Sequence, residues 1–558
     1  MLNPLLRRLV ALAALAALAL AQAAIVPAAY AQQRATETID TYAITNARIV
    51  TVSGAVIERG TIVIRDGLIN AVGVGINAPV DARVIDGAGL TVYPGLIDAN
   101  TNLGIPAPAP SPARGGGGGA AAAQAQGISS PNSANPVGLQ PEILAVDFIR
   151  PGGEQIDAAR NAGITAALTA PREGIFIGQS ALINLAGDSP QQMIVRSPVA
   201  LHVGFTPLRT GGYPASLMGV FAVLRQMMLD AGRLREANRI YEQNPRGLRR
   251  PVQDKSLIAL FPVLAREMPV VMYANSEREI RRALDLAQEF NLRVIIAGGM
   301  ESWKVADRLR ERDVPVLLSL NFPKRTTAAV PEADPDPLRL LRERVEAPKT
   351  AGRLAAARVR FAFQSGSMTS MADYLSNAAK TIENGLAREE ALRALTLRPA
   401  EILGVADRLG TIEVGKIANL TVTRGDIFDK SARIAHVFID GRPVDLKPAT
   451  PDASGTSATA SGTWTLKIKS EDGQEETATL ALQQEGTRLT GSLQGDLGSV
   501  QISGGSIDTA GNMRFTAPVT FGGQTTEATF TGKITGKQMS GTVQTVGRSP
   551  ATFTGTKP

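Results

Sequence analysis

The sequence predicts an α/β protein: a (β/α)8 TIM barrel with a composite β-sandwich domain, plus a C-terminal all-β barrel or sandwich module. Three observations carry this expectation. Short apolar, β-branched runs at residues 164–170, 269–274, 293–297, 314–318 and 359–363 alternate with amphipathic helical stretches across residues 90–407. Strand patterning occupies 42–89 and returns at 408–447, placed to complete one small sheet domain. After a Ser/Thr/Ala/Gly/Pro linker at 448–462, apolar residues alternate (Trp464, Leu466, Ile468; Ala478, Leu480, Leu482) and Gly-rich turns recur up to Gly555. That spacing predicts roughly eight strands over 463–558.

The chain opens with an expected export signal at residues 1–31. Arg7 and Arg8 precede a Leu/Ala-rich run, and Ala29-Tyr30-Ala31 supplies the small-x-small pattern that places cleavage before Gln32. An uncleaved anchor is the alternative; the Ala-rich run and the cleavage site favour removal, with no membrane association afterwards. The 558 residues include no cysteine, which excludes disulfides, thiol nucleophiles and zinc–cysteine sites. Export without cysteine fits a bacterial periplasm, where a chain of this length buries enough apolar surface to fold unstapled.

Without Arg7 and Arg8 the formal charge falls from +7 to +5, with 56 basic residues against 51 acidic. The basic residues are spread over helical stretches such as 278–282 and 339–344, as solvated helix faces are. Interleaved aromatics and a basic stripe are lacking, so no nucleic-acid partner is expected.

Locally, Asp66-Gly67 is a hairpin signal between strand-like runs. Residues 277–290 read as an amphipathic helix that starts in a capping box, Ser276 with Glu279, and ends at Asn291 in a left-handed cap. Two insertions interrupt the barrel. Residues 105–137 contain the run Gly115–Gly119 and are too poor in large apolar groups to fold alone. Residues 322–349 are rich in Pro and charge. The glycine run lacks the Gly-Lys-Ser/Thr ending of a phosphate loop.

Residues 92–103 read VYPGLIDANTNL. They resemble the first barrel strand of the amidohydrolase superfamily, in which Pro-Gly-Leu-Ile-Asp precedes a His-x-His pair. The flanks agree: the hairpin IVIRDGLINAVG within 42–86, and LTLRPAEILGVADRLGTIEVGKIANLTVTRGD at 395–426. The resemblance covers about 42–446, is strongest to imidazolonepropionase-like exported members, and stops before the C-terminal module. It implies hydrolysis of non-peptide C–N bonds at one or two divalent ions such as zinc. Four histidines and a bridging carboxylated lysine or carboxylate would hold the ions, and a last-strand aspartate would take a proton from metal-bound water.

This sequence departs from that pattern at every matched position. Asn100 and Asn102 replace the His-x-His pair, Tyr273 and Asn275 stand at the next ligand and its companion, Gly298 replaces a turn histidine, and Gly366 replaces the aspartate. Asn184 is placed at the bridging lysine. The chain contains only two histidines, His202 and His436, too few for such a shell. His436 is expected in the outer sheet and His202 in a core or surface role. Neutral amides are poor ligands for zinc-like ions, so no metal cofactor is expected and the replaced positions are read as lining a polar pocket.

Asp98 and Glu301 are the remaining catalytic candidates, although pinning and capping roles outweigh acid–base work for both. Asp373 reads as a helix-start residue. Ser365, Ser367 and Ser370 have neither a nucleophile elbow nor a histidine base. The expectation is a non-catalytic or weakly catalytic homologue that binds a small polar ligand or partners an active relative. The alternative is a hydrolase of amide or cyclic amide bonds through an altered site using Glu301 or Asp98. A third reading makes the protein an envelope structural component acting through its C-terminal module.

Overall fold

In a computed structural model the described residues are 41–106, 129–130, 133, 135–208, 213–324, 336–366, 368, 370–446, 460–469, 475–485, 488–495, 498–507, 511–521, 524–545 and 551–557. The expected signal segment, Gly115–Gly119, Ser367 and residues 448–459 of the linker lie outside them. Contacts divide the chain into two compact units, Met1–Leu446 and Lys447–Pro558.

The first unit opens with β1 (Tyr42–Ile49), β2 (Ile57–Arg65), β3 (Leu68–Gly73), β4 (Arg83–Asp86) and β5 (Leu90–Pro94). Asp66 and Gly67 both have positive φ (52° and 79°), the conformation that the tight β2–β3 hairpin requires. β1 bends at Asn46, whose φ is 56°, so β4 pairs with its first half and β5 with its second. Three strands from the far end of the unit, β16 (Leu420–Arg424), β17 (Arg433–Ile439) and β18 (Arg442–Val444), continue the same sheet through β16–β5 pairing. Its core is Tyr42, Ile44, Ile62, Val92, Leu420 and Phe438, all nearly inaccessible. The two flanks expected to share a sheet do so. His436 sits in β17 opposite Val422, half-buried, and burial lowers its pKa.

Between these flanks run β6 (Leu96–Thr101), β7 (Ile164–Thr169), β8 (Phe176–Gln179), β9 (Ala181–Asn184), β10 (Ile194–Arg196), β11 (Leu201–Val203), β12 (Val270–Ala274), β13 (Val294–Gly298), β14 (Val316–Ser319) and β15 (Phe361–Gln364). β6 pairs parallel with β7, and β11 to β15 form a continuous parallel run. The Gly366 N–H donates to the Asn100 carbonyl at 3.1 Å, joining the last strand to the first. One position departs from the expected pattern. β8 and β9, consecutive strands flanking Ser180, run antiparallel to β11 and β7 respectively. Only residues 170–175 separate β7 from β8, too few for the dozen or more that a parallel crossover needs, so the chain turns back on itself.

Alternation along the strands divides the core. Ile97, Ala99, Val271, Ile295, Leu317 and Ala362 pack inside the barrel, with Leu403 and Leu409 beneath them. Leu96, Val270, Met272, Ile296, Val316 and Phe363 face the helical layer. The helix Glu277–Glu289 has both reciprocal bonds of the capping box at Ser276 and Glu279, and Asn291 follows in the left-handed region at φ 52°. It buries Ile280, Ala283, Leu284 and Leu286. A helix at Leu338–Glu346 occupies part of the second insertion. No helix among the described residues is long and apolar enough to cross a membrane.

The second unit contains β19 (Gly462–Lys469), β20 (Glu475–Glu485), β21 (Arg488–Gly495), β22 (Gly498–Gln501), β23 (Ser503–Ile507), β24 (Asn512–Phe521), β25 (Gln524–Thr535), β26 (Gln538–Thr545) and β27 (Ala551–Thr556). Pairing of β20 with β21 closes an eight-strand antiparallel barrel, and β22 adds to β21 outside the ring. Closure removes sheet edges, and Trp464, Leu480, Phe515, Phe530 and Phe553 fill the interior. The Trp464 indole N–H is satisfied by the Ala460 carbonyl at 2.8 Å.

Candidate functional site

β6 carries Asp98 and Asn100, and Asn102 follows its end. Asn100 is buried, 3% exposed. Its Nδ2 donates to Gln364 Oε1 at 2.6 Å, on the neighbouring β15. Its Oδ1 accepts from the Tyr273 hydroxyl at 3.1 Å. Tyr273 belongs to β12, four strand positions away around the ring, so this contact crosses the barrel. Tyr273 also meets His202 Nδ1 of β11 at 3.0 Å, and Gln364 Nε2 donates to the Leu317 carbonyl of β14 at 2.6 Å. Five strands are thereby tied together by one chain of side chains.

The direction of that chain follows from its backbone end. A carbonyl only accepts, so Gln364 presents Nε2 to Leu317 and Oε1 to Asn100. Asn100 then offers Nδ2 to Gln364 and Oδ1 to Tyr273. The tyrosine's single proton is committed to Asn100, so His202 Nδ1 carries a proton and donates. His202 Nε2 is left as a buried acceptor with no hydrogen-bond partner among the described residues. Burial pushes the imidazole down to about 3 and the phenol up to about 12, so both are neutral across the physiological range. His202 is thus a core residue and also a member of the site. Its inward place on β11, flanked by the outward Leu201 and Val203, was the signal available in the sequence.

Asp98 lies beneath this chain, fully buried. One oxygen accepts from the Ser365 N–H at 2.9 Å and the Asn100 N–H at 3.3 Å; the other accepts from the Ser365 hydroxyl. Burial raises its carboxyl to about 6 against the pull of these three bonds. Its geometry is that of a pin between the first and last barrel strands, as the sequence suggested.

At the rim, Asn102 Oδ1 accepts from the Arg172 guanidinium, which sits in the loop between β7 and β8. Burial lowers the Arg172 pKa, and the Tyr273 phenol opposes that shift. No matched motif pointed to Arg172. Asn275 and Gly298 meet each other: a Cβ on Gly298 would lie 2.3 Å from Asn275 Oδ1, and its φ is +98°. A Gly298→Ala variant is expected to lose about 1–2 kcal/mol of stability, read by urea denaturation, because the residue adopts a backbone conformation that side chains disfavour. Gly366 has φ +59° and only loose neighbours, Ser319 Oγ at 3.7 Å and Gln364 Oε1 at 3.9 Å.

Two other residues serve elsewhere. Glu301 accepts from the Glu277 N–H at 2.8 Å and pairs with Lys304 at 2.7 Å, capping the helix that starts at Glu277. Partial burial raises its carboxyl, but Lys304 and the Glu277 N–H outweigh that and hold it below its ordinary value. Asn184 lies at the opposite end of the barrel, bonded to Asn419 at 2.8 Å, because β9 runs downward from the rim. The bridging-ligand placement of Asn184 is therefore corrected. Among the remaining candidates, Asp373 pairs with Lys324 at 2.8 Å.

The donor set does not fit a divalent ion. Asn100, Tyr273 and Gln364 are neutral and spend their polar atoms on one another, and no group of three or more His, Asp or Glu among the described residues could hold a metal.

The comparisons agree with this architecture. Residues 334–444 match the model of the amidohydrolase family. An amidohydrolase from Thermotoga maritima MSB8 superposes with a TM-score of 0.61 at 23% identity, over 73% of this chain and 100% of that one. A segment of 57 residues is 46% identical to N-acetylglucosamine-6-phosphate deacetylase of Haemophilus influenzae, which is 10% of this chain and 14% of that enzyme. The chain therefore spans about a seventh of that curated relative.

Proposed function

We propose that this chain, whose residues 334–444 match the amidohydrolase family and whose fold is that of an amidohydrolase, has a barrel that is a binding site rather than a metal-dependent hydrolytic one: a non-catalytic or weakly catalytic homologue. It takes a small polar ligand at the rim or pairs with an active, metal-containing relative, and the expected export signal would place it in the periplasm. The observation that supports this reading is the hydrogen-bonded chain His202–Tyr273–Asn100–Gln364. Two of its members, Asn100 and Tyr273, stand at positions where the resemblance called for ligands, and the chain engages their polar atoms internally. Arg172 supplies a fixed positive charge beside Asn102, suited to a carbonyl or carboxylate oxygen of the ligand.

The competing reading is hydrolysis of amide or cyclic amide bonds by Asp98 or Glu301. The raised carboxyl of Asp98 is the feature in its favour. Both Asp98 oxygens are already engaged by Ser365 and the backbone, and Glu301 serves as a helix cap, so neither is free to meet a substrate.

Elemental analysis of the purified protein, with a parallel amide-hydrolysis assay after adding zinc or manganese, tests the proposal. The expected result is no stoichiometric metal and no metal-dependent turnover. Near-stoichiometric metal with turnover that a chelator abolishes would overturn it.

A further inference from the structure

At the N-terminal ends of β12 to β15, opposite the rim, a groove of about 590 Å³ is lined by Arg266, Arg293, Arg312 and Arg360, with Asp313 and Glu401 as its only acidic residues. The acids are already engaged. Asp313 takes Arg360 in a two-point pair at 2.7 and 3.1 Å, and Glu401 accepts from Arg398 at 3.0 Å. The other three guanidiniums form no ion pair among the described residues and bond only neutral oxygens. Arg266 Nη1 donates to the Asn291 carbonyl at 3.0 Å and to its Oδ1 at 2.6 Å. Arg293 Nη1 donates to the Arg266 carbonyl at 3.2 Å. Arg312 reaches the Leu284 carbonyl at 3.1 Å and Gln288 Oε1 at 2.6 Å.

These bonds have a local reason. The segments before β12, β13 and β14 each turn through a left-handed residue, Arg266 (φ 62°), Asn291 (52°) and Asp313 (50°), and leave helix-end carbonyls exposed. An arginine at a helix C-terminus satisfies such carbonyls and complements the dipole. That role uses only Nη1 of Arg266 and of Arg293, and leaves Nε and Nη2 of both unengaged among the described residues. It also leaves three guanidiniums of one groove with no carboxylate partner of their own among the described residues, an uncompensated excess of like charge. The pair Arg360–Asp313 shows a guanidinium of this groove donating two hydrogen bonds to one oxyanion.

We propose that this groove is an anion site for a soluble small molecule bearing two phosphate or carboxylate groups, held by Arg266, Arg293 and Arg312. Two anionic groups match the excess of positive charge, four arginines against two acids, and can engage two guanidiniums at once as a singly charged ligand cannot. The site is independent of the barrel rim, so its success or failure leaves the reading of the rim unchanged.

Calorimetric titration of the full chain with pyrophosphate and, separately, succinate tests it. Saturable one-to-one binding of either, with a Kd below about 1 mM at low salt that weakens as salt is added, is the expected result. Pyrophosphate binding alone would assign phosphate, and succinate binding alone carboxylate. Arg293→Gln and Arg266→Gln, made separately, are each expected to weaken binding about tenfold or more, with the ligand-free melting temperature read alongside. Should one variant fail to fold, the other carries the test. No saturable binding of either anion, or an unchanged Kd in a folded variant, would overturn the proposal.

Discussion

Replacing Tyr273 by Phe is expected to destabilise the barrel unit by about 2–4 kcal/mol, although it removes a single oxygen. The hydroxyl donates to Asn100 Oδ1 and accepts from His202 Nδ1, and both partners are buried. The phenylalanine ring fills the same space, so the loss is not one of packing. It comes from a stranded amide oxygen and a stranded imidazole N–H, each costing the desolvation it no longer recovers. Changing tautomer does not rescue His202, because it moves the N–H to the other ring nitrogen, which also has no partner among the described residues. Urea denaturation monitored by far-UV circular dichroism measures the change. A loss under about 0.5 kcal/mol would mean that the cross-barrel chain does not hold the strands together.

Asp98 is expected to make stability fall as pH rises. Its carboxyl titrates near 6 in the folded barrel against 3.8 as its reference value, so the folded state binds the proton more tightly. Its contribution is fully present below about pH 4, declines as pH rises through 6, and then stays constant. The total change is about 3 kcal/mol at 1.36 kcal/mol per pH unit. Other carboxylates titrate in the same window, so the measurement is the difference between the native protein and Asp98→Asn at pH 4, 5, 6 and 7. An asparagine can still accept from the Ser365 and Asn100 N–H groups and carries no buried charge. The difference should therefore shift in favour of Asp98→Asn between pH 4 and 7. A difference independent of pH would show that folding does not raise the Asp98 pKa.

Both predictions act on residues that the sequence had already marked. Asn100, Tyr273 and Asp98 were singled out from the motif positions alone, because a strand places alternate residues on one side and the resemblance aligns them. What they do there was legible only in part. The sequence supported a pinning role for Asp98, and Ser365 with the Asn100 N–H supplies the other half of the pin. Glu301 was the most attractive acid on paper, lying near a strand's C-terminal end. Its carboxylate points instead at the N–H of Glu277, a partner on the preceding unit that no local pattern reveals.

The sequence by itself determined what depends on neighbours a few residues apart. The capping box at Ser276 and Glu279, the Asp66-Gly67 hairpin, the starts of β7, β12 and β13 to within a residue, and the strand-rich C-terminal module all follow from turn chemistry and side-chain period. Composition determined something more: two histidines cannot furnish a four-histidine shell wherever they lie. Only the tertiary structure decided what depends on closure and register. It brought Asn100 to Gln364 across 264 residues, put Arg172 over Asn102, sent Asn184 to the far end on an antiparallel strand, and gathered four arginines from the segments before four successive strands into one groove. Each of those contacts is set by how strands stack around a ring, which a local pattern of one chain does not encode.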